Sequence, residues 1–371
     1  MQKYLSNSNE VNLRLPGPVP VPKEILNEQS KPLINHRGGD YKLLLDECTE
    51  NLKKIFSTNN DLYIFTSSGT GVMEAAVSNF LSENDEIIVA SVGWFGDRFS
   101  EIANSYNIKV NNINFELGEI INISILEEFI KSNPNSKALY VTHNETSTGV
   151  QNDLQAISLL AKKYSLLYVV DGISSVASVP CNTDELNIDV LISASQKGWV
   201  APPGLAFMSV SEKAWQFHQN SSCPKYYFDI SQYKKYLEKG QPPFTPAIGI
   251  MYSLNKSLKL LLDETMEKVY MRHTEAANKI RSKLQEIGFE LFPKSEYYAS
   301  NTLTAVKVPR NINCSEFLNI LENEHQVIIS TGQGNLSGKI LRIGHLGIVS
   351  DEEINWLINS ILETMESLNN G

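Results

Sequence analysis

Two short apolar runs, each followed by an ionisable residue, constrain the fold of this 371-residue chain most strongly. Leu166–Val170 and Val190–Ala194 are short and rich in branched residues, which predicts two buried strands of one sheet. Asp171 directly follows the first run, and Lys197 comes shortly after the second. Because burying a carboxylate and an amine is costly, the two residues indicate either a structural role, as a salt bridge or as helix caps, or a functional pair.

The functional interpretation follows from the place of these residues in an open α/β sheet, which binds ligands at the carboxyl ends of its strands. A lysine there, desolvated and partly walled by Trp199 and two nearby prolines, can lose its proton and attack a carbonyl group. Chemistry based on pyridoxal phosphate (PLP) needs such a lysine, together with a carboxylate at the pyridine nitrogen.

Two further strand ends carry loops that fit a ligand site. Leu62–Thr66 predicts a strand, and the loop Ser67–Gly71 then leads into a helix. This arrangement presents N–H groups and hydroxyls to an anion, although the glycines can simply form the turn and Ser68 or Thr70 can simply cap the helix. After the strand Glu86–Ala90, aromatic residues between glycines offer a flat platform for a ring, or plain packing.

Polar residues also follow the strand predicted over residues 137–142, since the next run, His143–Gly149, is almost entirely polar. Arg342 lies inside the apolar strand Lys339–Gly344. A half-buried arginine needs an anion, which is either a carboxylate of a ligand, bound through two hydrogen bonds, or an acidic side chain of the protein.

The composition excludes several classes of protein. A net charge of −10 argues against a nucleic-acid surface, and no apolar run approaches the ~20 residues of a membrane span. The first residues lack the apolar core of a signal peptide. The four cysteines are scattered without metal-ligand spacing, so we expect no metal site, free thiols and a cytoplasmic protein.

The order of elements predicts βα units followed by a smaller α+β region. The proline-rich segment Pro16–Pro22 predicts a stiff, extended tail or an arm that lies on a neighbour. The helical pattern of Ser253–Gly288 marks the passage to a second domain. We therefore expect an N-terminal arm (1–22), a large domain (23–264) that binds the cofactor and a small C-terminal domain (265–371).

Together these residues resemble the PLP-dependent aminotransferases of fold type I, class V, and most closely the alanine–glyoxylate and serine–pyruvate or serine–glyoxylate aminotransferases. The most specific matches are SQKGWVAPPG and HNETSTGV, and the resemblance extends from Pro16 to Gly344. It implies a mostly parallel mixed sheet flanked by helices, plus a smaller α+β domain. It also implies a transaminase that moves an amino group from alanine or serine to glyoxylate or pyruvate.

The resemblance also implies roles for individual residues. Lys197 would bind the cofactor covalently, and Asp171 would pair with its pyridine nitrogen. Four residues would hold the phosphate: Ser68, Gly69, Thr70 and Gln196. Three others would contact the ring: Phe95 stacked on it, Ile173 packed beneath it and Thr146 at its 3-oxygen side.

Two implied roles lie outside the cofactor site of one chain. Arg342 would bind the substrate α-carboxylate, and Thr245 would reach the phosphate of the neighbouring subunit, which implies a homodimer with shared active sites. Three residues before Thr245 the alanine–glyoxylate enzymes have a tyrosine, whereas this chain has Pro242, with Gln241 as a possible substitute. Some relatives have a histidine where this chain has Thr70.

The sequence leaves the amino donor open. A transaminase for another donor, aspartate or an aminophosphonate, is the main alternative. A lyase similar to the cysteine desulfurases would need a cysteine on a mobile loop near the site, whereas we expect Cys314 at the edge of the small domain. A non-catalytic PLP-binding protein would not need Lys197, Asp171 and Arg342 together.

Overall fold

A computed structural model describes residues 11–370, so the first ten residues of the predicted arm lie outside the described residues. The strands of the described part are β1 Asn12–Leu13, β2 Asp61–Thr66, β3 Glu86–Ser91, β4 Lys109–Asn114, β5 Ser136–Thr142, β6 Asn144–Glu145, β7 Val150–Gln151, β8 Leu167–Asp171, β9 Val190–Ala194, β10 Leu205–Val210, β11 Leu303–Lys307, β12 Val327–Ile328, β13 Ser330–Thr331 and β14 Ile340–Gly344.

The α-helices of the same part are α1 Lys23–Leu26, α2 Gly39–Phe56, α3 Gly69–Ser78, α4 Trp94–Ser105, α5 Ile123–Ser132, α6 Leu154–Lys163, α7 Glu212–Gln219, α8 Ile230–Leu237, α9 Ile248–Glu264, α10 Met266–Glu286, α11 Cys314–Asn323 and α12 Asp351–Asn370. Short 3-10 turns lie at Asn27–Ser30, Glu296–Tyr298 and Gly334–Leu336. None of these helices has the length and apolarity needed to cross a membrane.

A seven-stranded sheet forms the centre of the fold, in the order β2-β10-β9-β8-β5-β3-β4. Strand β10 runs antiparallel to both of its neighbours, and the other adjacent pairs are parallel. Every residue of β8, β9 and β10 is buried, because separate apolar clusters cover the two faces of the sheet. The predicted mostly parallel mixed sheet with flanking helices is confirmed.

Strands β8 and β9 are neighbours, as their apolar character predicts. They pair in parallel, with Asp171 opposite Ile192, so their carboxyl ends meet at one edge of the sheet. Strand β5 lies on the other side of β8, and the His143 N–H that follows it donates to the main-chain oxygen of Asp171 at 2.9 Å. The topology therefore gathers three polar segments at a single edge.

The C-terminal region contains a three-stranded antiparallel sheet, β11-β14-β13, packed with α10, α11 and α12. The predicted helix over Ser253–Gly288 is two helices, since the backbone breaks at Thr265 with a φ of 74°. The segment 327–331 is likewise divided, into the two short strands β12 and β13.

The described part of the N-terminal arm packs against its own chain. Strand β1 pairs in parallel with β12, and the N–H of Val19 donates to the main-chain oxygen of Gln196 at 3.1 Å. A two-residue strand that pairs with a distant segment has no recognisable local sequence pattern. The sequence therefore predicts only an extended segment here.

Several elements escaped prediction because their patterns are weak. Strand β4, KVNNIN, lies at the edge of the sheet, is partly exposed and carries three asparagines. Helix α4 begins inside the loop of aromatic residues and glycines. Helices α7 and α8 lie in or beside the segment 217–246, which shows no clear period in the sequence.

The central sheet should dominate stability. Leu191→Ala removes a completely buried side chain from β9 and should lower the free energy of unfolding by about 2–5 kcal/mol, because it leaves a cavity in the core. Urea unfolding measures this loss. The matched change Leu159→Ala, at a side chain 59 % exposed on α6, should alter it by no more than about 0.5 kcal/mol. Equal effects of the two changes would contradict this account of the core.

Candidate active site

A cleft of about 250 Å³ lies at the edge of the sheet where β5, β8 and β9 end. Nine of the residues predicted for the cofactor site line it: Ser68, Gly69, Thr70, Phe95, Thr146, Asp171, Ile173, Gln196 and Lys197. Six residues without an individually predicted role also line it: Gly17, Pro18, Met73, Arg98, Asn144 and Ser174.

Asp171 is the last residue of β8 and is buried. Its Oδ1 accepts a hydrogen bond from the N–H of Ile173 at 2.8 Å. Burial raises the pKa of Asp171 to about 7, and the nearby carboxylate of Glu145 adds to this rise, whereas the charges of Lys197 and Arg98 oppose it. The pKa of this carboxyl group therefore lies near neutrality, and a cationic partner would keep the group ionised.

Lys197 follows β9 and is half-buried, and its Nζ donates to the main-chain oxygen of Pro16 at 2.5 Å. Burial lowers its pKa to about 8; Arg342 and Arg98 lower it further, and Asp171 opposes them. An amine with such a pKa is partly neutral near pH 7, which is the form needed for nucleophilic attack or for taking a proton.

Trp199 does not form a wall of the cleft, contrary to the prediction. Its ring is completely buried and stacks on Phe56 with a centroid distance of 5.5 Å. Its indole N–H donates to Ser193 Oγ in β9 at 2.7 Å. Trp199 therefore packs within the core, on the side of the Lys197 turn that faces away from the cleft.

The loop before α3 forms one wall of the cleft. Ser68 caps the helix, since its side chain accepts from the N–H of Gly71 at 3.4 Å, so the capping interpretation is correct for this residue. A Cβ on Gly69 would lie only 2.9 Å from Cδ1 of Ile173, so a side chain there would crowd the floor of the cleft. The loop thus leaves a cradle at the N-terminus of a helix, which favours an anion.

Glu145 organises the opposite wall and was not singled out by the sequence. Its Oε2 accepts from the N–H groups of Phe95 and Gly96 at 3.0 Å each, and its Oε1 accepts from the N–H and Oγ of Ser147. Burial raises the pKa of this carboxyl group, and its four hydrogen bonds oppose the rise. The contacts join the start of α4, which carries Phe95, to the loop that carries Thr146.

Arg98 is the other residue missed in this wall. Its guanidinium lies over the Phe95 ring, 4.9 Å from the centroid, and Nη1 donates to Thr70 Oγ1 at 3.4 Å. No carboxylate within residues 11–370 forms an ion pair with it. Its spacing of three residues from Phe95 is a signal only once α4 is known to be a helix.

Arg342 lies in β14 and is not one of the residues that line the cleft, but it contacts the lining residue Thr146 from the C-terminal sheet. Its Nε donates to the main-chain oxygen of Thr331 at 2.8 Å, and Nη1 donates to that of Thr146 at 3.2 Å and to Oε1 of Gln333 at 3.4 Å. Burial lowers its pKa to about 10, and Glu145 opposes this. In the described part of the chain no acidic side chain forms an ion pair with this guanidinium.

Thr245 does not line the cleft of its own chain. It is exposed beside a pocket lined by aromatic residues and prolines that also includes Gln241 and Pro242. Gln241 Oε1 accepts from Arg37 Nη1 at 3.1 Å. Phe244 stacks on Tyr227 with a centroid distance of 5.0 Å.

Comparison with known sequences decides the family. Residues 26–347 match the sequence profile of the family described as "Aminotransferase class-V". The chain belongs to this family. An uncharacterised aminotransferase of Methanocaldococcus jannaschii is 40% identical over 92% of this chain and 89% of its own length.

Relatives with a named reaction are also similar to this class-V aminotransferase. The L-aspartate–glyoxylate aminotransferase of Paracoccus denitrificans is 31% identical over 91% of this chain and 86% of that protein. The serine–glyoxylate aminotransferase of Arabidopsis thaliana is 31% identical over 95% and 89%. The crystal structure of an alanine–glyoxylate aminotransferase from Nostoc sp. superposes with a TM-score of 0.92, with 26% identity over 96% of this chain and 95% of that one.

Aminotransferases of class V depend on PLP as a family. The cleft of this aminotransferase fits that cofactor in two respects. The loop before α3 suits a phosphate, because Ser68, Gly69 and Thr70 line the cleft at the N-terminus of that helix. Asp171 and Lys197 line the same cleft and supply the carboxylate and the amine that PLP chemistry requires.

The charges around Lys197 predict its reactivity. In the cofactor-free protein an acylating reagent should modify Lys197 half-maximally near pH 8, because only the neutral amine reacts. Asp171→Asn removes a charge that raises the pKa and should move the midpoint down. Arg342→Gln removes one that lowers the pKa and should move it up. Mass spectrometry of the labelled peptide gives the midpoint.

Lys109 provides the internal control for this titration, because it is exposed at the start of β4, away from the cleft. Its labelling should not respond to either substitution. If the labelling midpoint of Lys197 shifts in the same direction in both variants, the two charges do not act on its pKa as described.

Proposed function

We propose that this aminotransferase uses PLP to move the amino group of a small amino acid, alanine or serine, to a small 2-oxo acid, glyoxylate or pyruvate. The observation that carries the proposal is the meeting of Asp171, Lys197 and Thr146 in one cleft, with Arg342 bonded to the oxygen of Thr146. The names of the similar serine–glyoxylate and alanine–glyoxylate enzymes support the choice of substrates.

The proposed cofactor contacts use the walls of the cleft. The phosphate would lie against Ser68, Gly69, Thr70 and Gln196. The ring would lie between Phe95 and Ile173, with Thr146 at its 3-oxygen side. Asp171 uses one oxygen for the Ile173 amide, so its other oxygen is available to a protonated ring nitrogen. When bound, PLP supplies an electron sink for the charge that develops at the substrate α-carbon.

Lys197 would hold the cofactor and then carry the proton. Its amine lies in the cleft, and burial brings its pKa to about 8, close to the pH at which an amine can both take and return a proton. The same residue can therefore remove the α-proton of the donor and deliver a proton at the cofactor side.

Arg342 would bind the substrate carboxylate. Two main-chain oxygens, of Thr331 and Thr146, orient the guanidinium, and neither neutralises it. Its Nη2 makes no hydrogen bond within residues 11–370 and is available to a ligand. A carboxylate is the anion that best matches the planar fork of N–H groups.

Aspartate is the second candidate donor. Arg98 lines the cleft and has no acidic partner in the described part of the chain, so it could take a second carboxylate. The similar enzyme of Paracoccus denitrificans is named for aspartate. A desulfurase-like reaction is disfavoured, because Cys314 is half-buried in the first turn of α11, with Sγ 3.7 Å from Thr331 Oγ1.

A panel of donors tests this function. With alanine, serine and aspartate against glyoxylate and pyruvate, alanine or serine with glyoxylate should give the highest kcat/KM. Lys197→Ala should lose at least about 10³-fold in kcat, since it removes the proton-carrying group. Borohydride should fix PLP covalently on Lys197 in the wild type, as a mass increase of that peptide, and not in the variant. Full activity of Lys197→Ala would refute the proposal.

Arg98→Gln separates the two roles open to that arginine. If Arg98 binds the second carboxylate of aspartate, the variant should lose activity with aspartate and keep it with alanine. If it serves the phosphate, activity with every donor and the affinity for PLP should fall together.

We also propose two domains behind the arm of residues 1–22, a large one over 23–264 and a small one over 265–371. The backbone break at Thr265 and the separate C-terminal sheet support this division. The protein would act as a homodimer with shared active sites. Exposed aromatic side chains beside Thr245, such as Tyr226 at 80 % exposure, support an interface there.

Cofactor binding and assembly should then be linked. Thr245→Ala should weaken PLP retention by about tenfold through loss of a hydrogen bond to a charged group, and removing PLP should raise the dissociation constant of the dimer. Sedimentation of loaded and cofactor-free protein over a dilution series measures both effects. Ser337→Ala, another exposed hydroxyl, should change neither. A fully active monomer would contradict the shared site.

A further inference from the structure

The segment Leu15–Val19, here called the strap, lies along the cleft, and its residues Gly17 and Pro18 form part of the cleft lining. Just before it, the N–H of Arg14 donates to Ile328 O and its oxygen accepts from Gly344 N, both at 2.7 Å. At the other end, the N–H of the strap's last residue donates to Gln196 O at 3.1 Å. Main-chain bonds therefore tie the strap to the strand of Arg342 and to the turn of Lys197.

Two glycines permit the close approach of the strap. A Cβ on Gly344 would overlap the carbonyl group of Leu15. Gly17 has a φ of +117°, and a Cβ there would lie 2.6 Å from both Nζ and Cδ of Lys197. The backbone of the strap thus rests directly on the lysine side chain.

The strap is also anchored by a buried charge. The Arg14 side chain is 1 % exposed, and its Nη2 forms an ion pair with Oε1 of Glu353 at 2.9 Å. Its Nε donates to Asn12 Oδ1 at 2.6 Å. A segment held in this way has a defined position over the cleft, unlike a loose tail.

What the strap offers to Lys197 is a hydrogen-bond acceptor. Pro16 and Pro18 carry no N–H, and the carbonyl group of Pro16 accepts from Lys197 Nζ at 2.5 Å. An amine that donates one N–H to a fixed carbonyl has its remaining hydrogens and its lone pair directed away from that carbonyl. One bond therefore selects the direction in which the amine exchanges a proton.

We propose that the Pro16 carbonyl is a positioning group for catalysis, which orients the Lys197 amine whenever that amine is free to take or return a proton. The inference rests on the proposed function, in which Lys197 carries the proton. Because Arg14, directly before the strap, accepts from the N–H of Gly344, two residues beyond Arg342, the same device keeps the amine in register with the group that would bind the substrate carboxylate.

The direct test weakens the acceptor with little change of shape. An ester in place of the peptide bond between Pro16 and Gly17, installed by semisynthesis, lowers the acceptor strength of the Pro16 carbonyl group. It also removes the Gly17 N–H, which makes no hydrogen bond within residues 11–370. We expect kcat with alanine and glyoxylate to fall about fivefold, with KM unchanged.

A second readout does not depend on turnover. In the cofactor-free protein the carbonyl stabilises the protonated amine, so the ester should move the midpoint of Lys197 acylation to lower pH. The yield of borohydride-fixed PLP should equal that of the wild type. A strap that only supports the fold would instead lower PLP binding or stability and leave the midpoint unchanged.

Gly17→Ala provides an independent variant that displaces the strap, because its Cβ would overlap Lys197. It should lower kcat by at least about tenfold. Gly288→Ala is the matched control, since Gly288 also has a positive φ, of +94°, but has no atom within 4 Å of the added Cβ. It should keep the wild-type kcat and labelling midpoint.

The outcomes separate this inference from the proposed function. If the wild type neither fixes PLP on Lys197 nor transaminates, the proposed function fails. If the wild type does both, and the ester enzyme matches it in kcat and in the labelling midpoint, the positioning role of Pro16 alone is refuted.

Discussion

The parallel pairing of β8 with β9 is the constraint on which the site depends. It brings the carboxyl ends of two fully buried strands together, so Asp171 and Lys197 must share one cleft. Each group is costly to bury, and burial raises the pKa of the acid and lowers that of the amine. Their mutual attraction offsets part of that cost and leaves both groups close to the point at which they can change charge.

The rest of the site depends on a second buried carboxylate. Glu145 forms no ion pair within residues 11–370, but four hydrogen bonds satisfy it, two from the first turn of α4 and two from Ser147. A helix N-terminus stabilises such a negative charge. Phe95 and Thr146 are thereby fixed relative to each other, and the oxygen of Thr146 in turn orients Arg342. One acid thus links the proposed ring platform to the proposed carboxylate site.

The sequence predicted well those features that depend on local pattern. The apolar runs place β8 and β9 within a residue of their observed bounds, because strands buried on both faces leave a continuous apolar signal. Candidate residues directly after strands, such as Asp171 and Lys197, follow from the same signal. Arg98 and Glu145 could not be assigned, since their roles come from contacts between α4, the loop before α3 and the loop after β5.

The strap shows the limit of local reasoning in another way. The density of prolines predicts a stiff, extended segment, whereas the backbone bends at residues 16–18, with a φ of +117° at Gly17. The residues directly before this segment pair with β12 and β14, more than 300 residues away in sequence. The central sheet supplies the lysine and the aspartate, and the C-terminal sheet supplies the arginine. In the proposed function, neither sheet alone would hold an amino acid by its carboxylate and act on its α-carbon. The N-terminal segment is bonded to both regions, and its Pro16 carbonyl group accepts from the lysine. Such a segment can keep Lys197 aligned with Arg342.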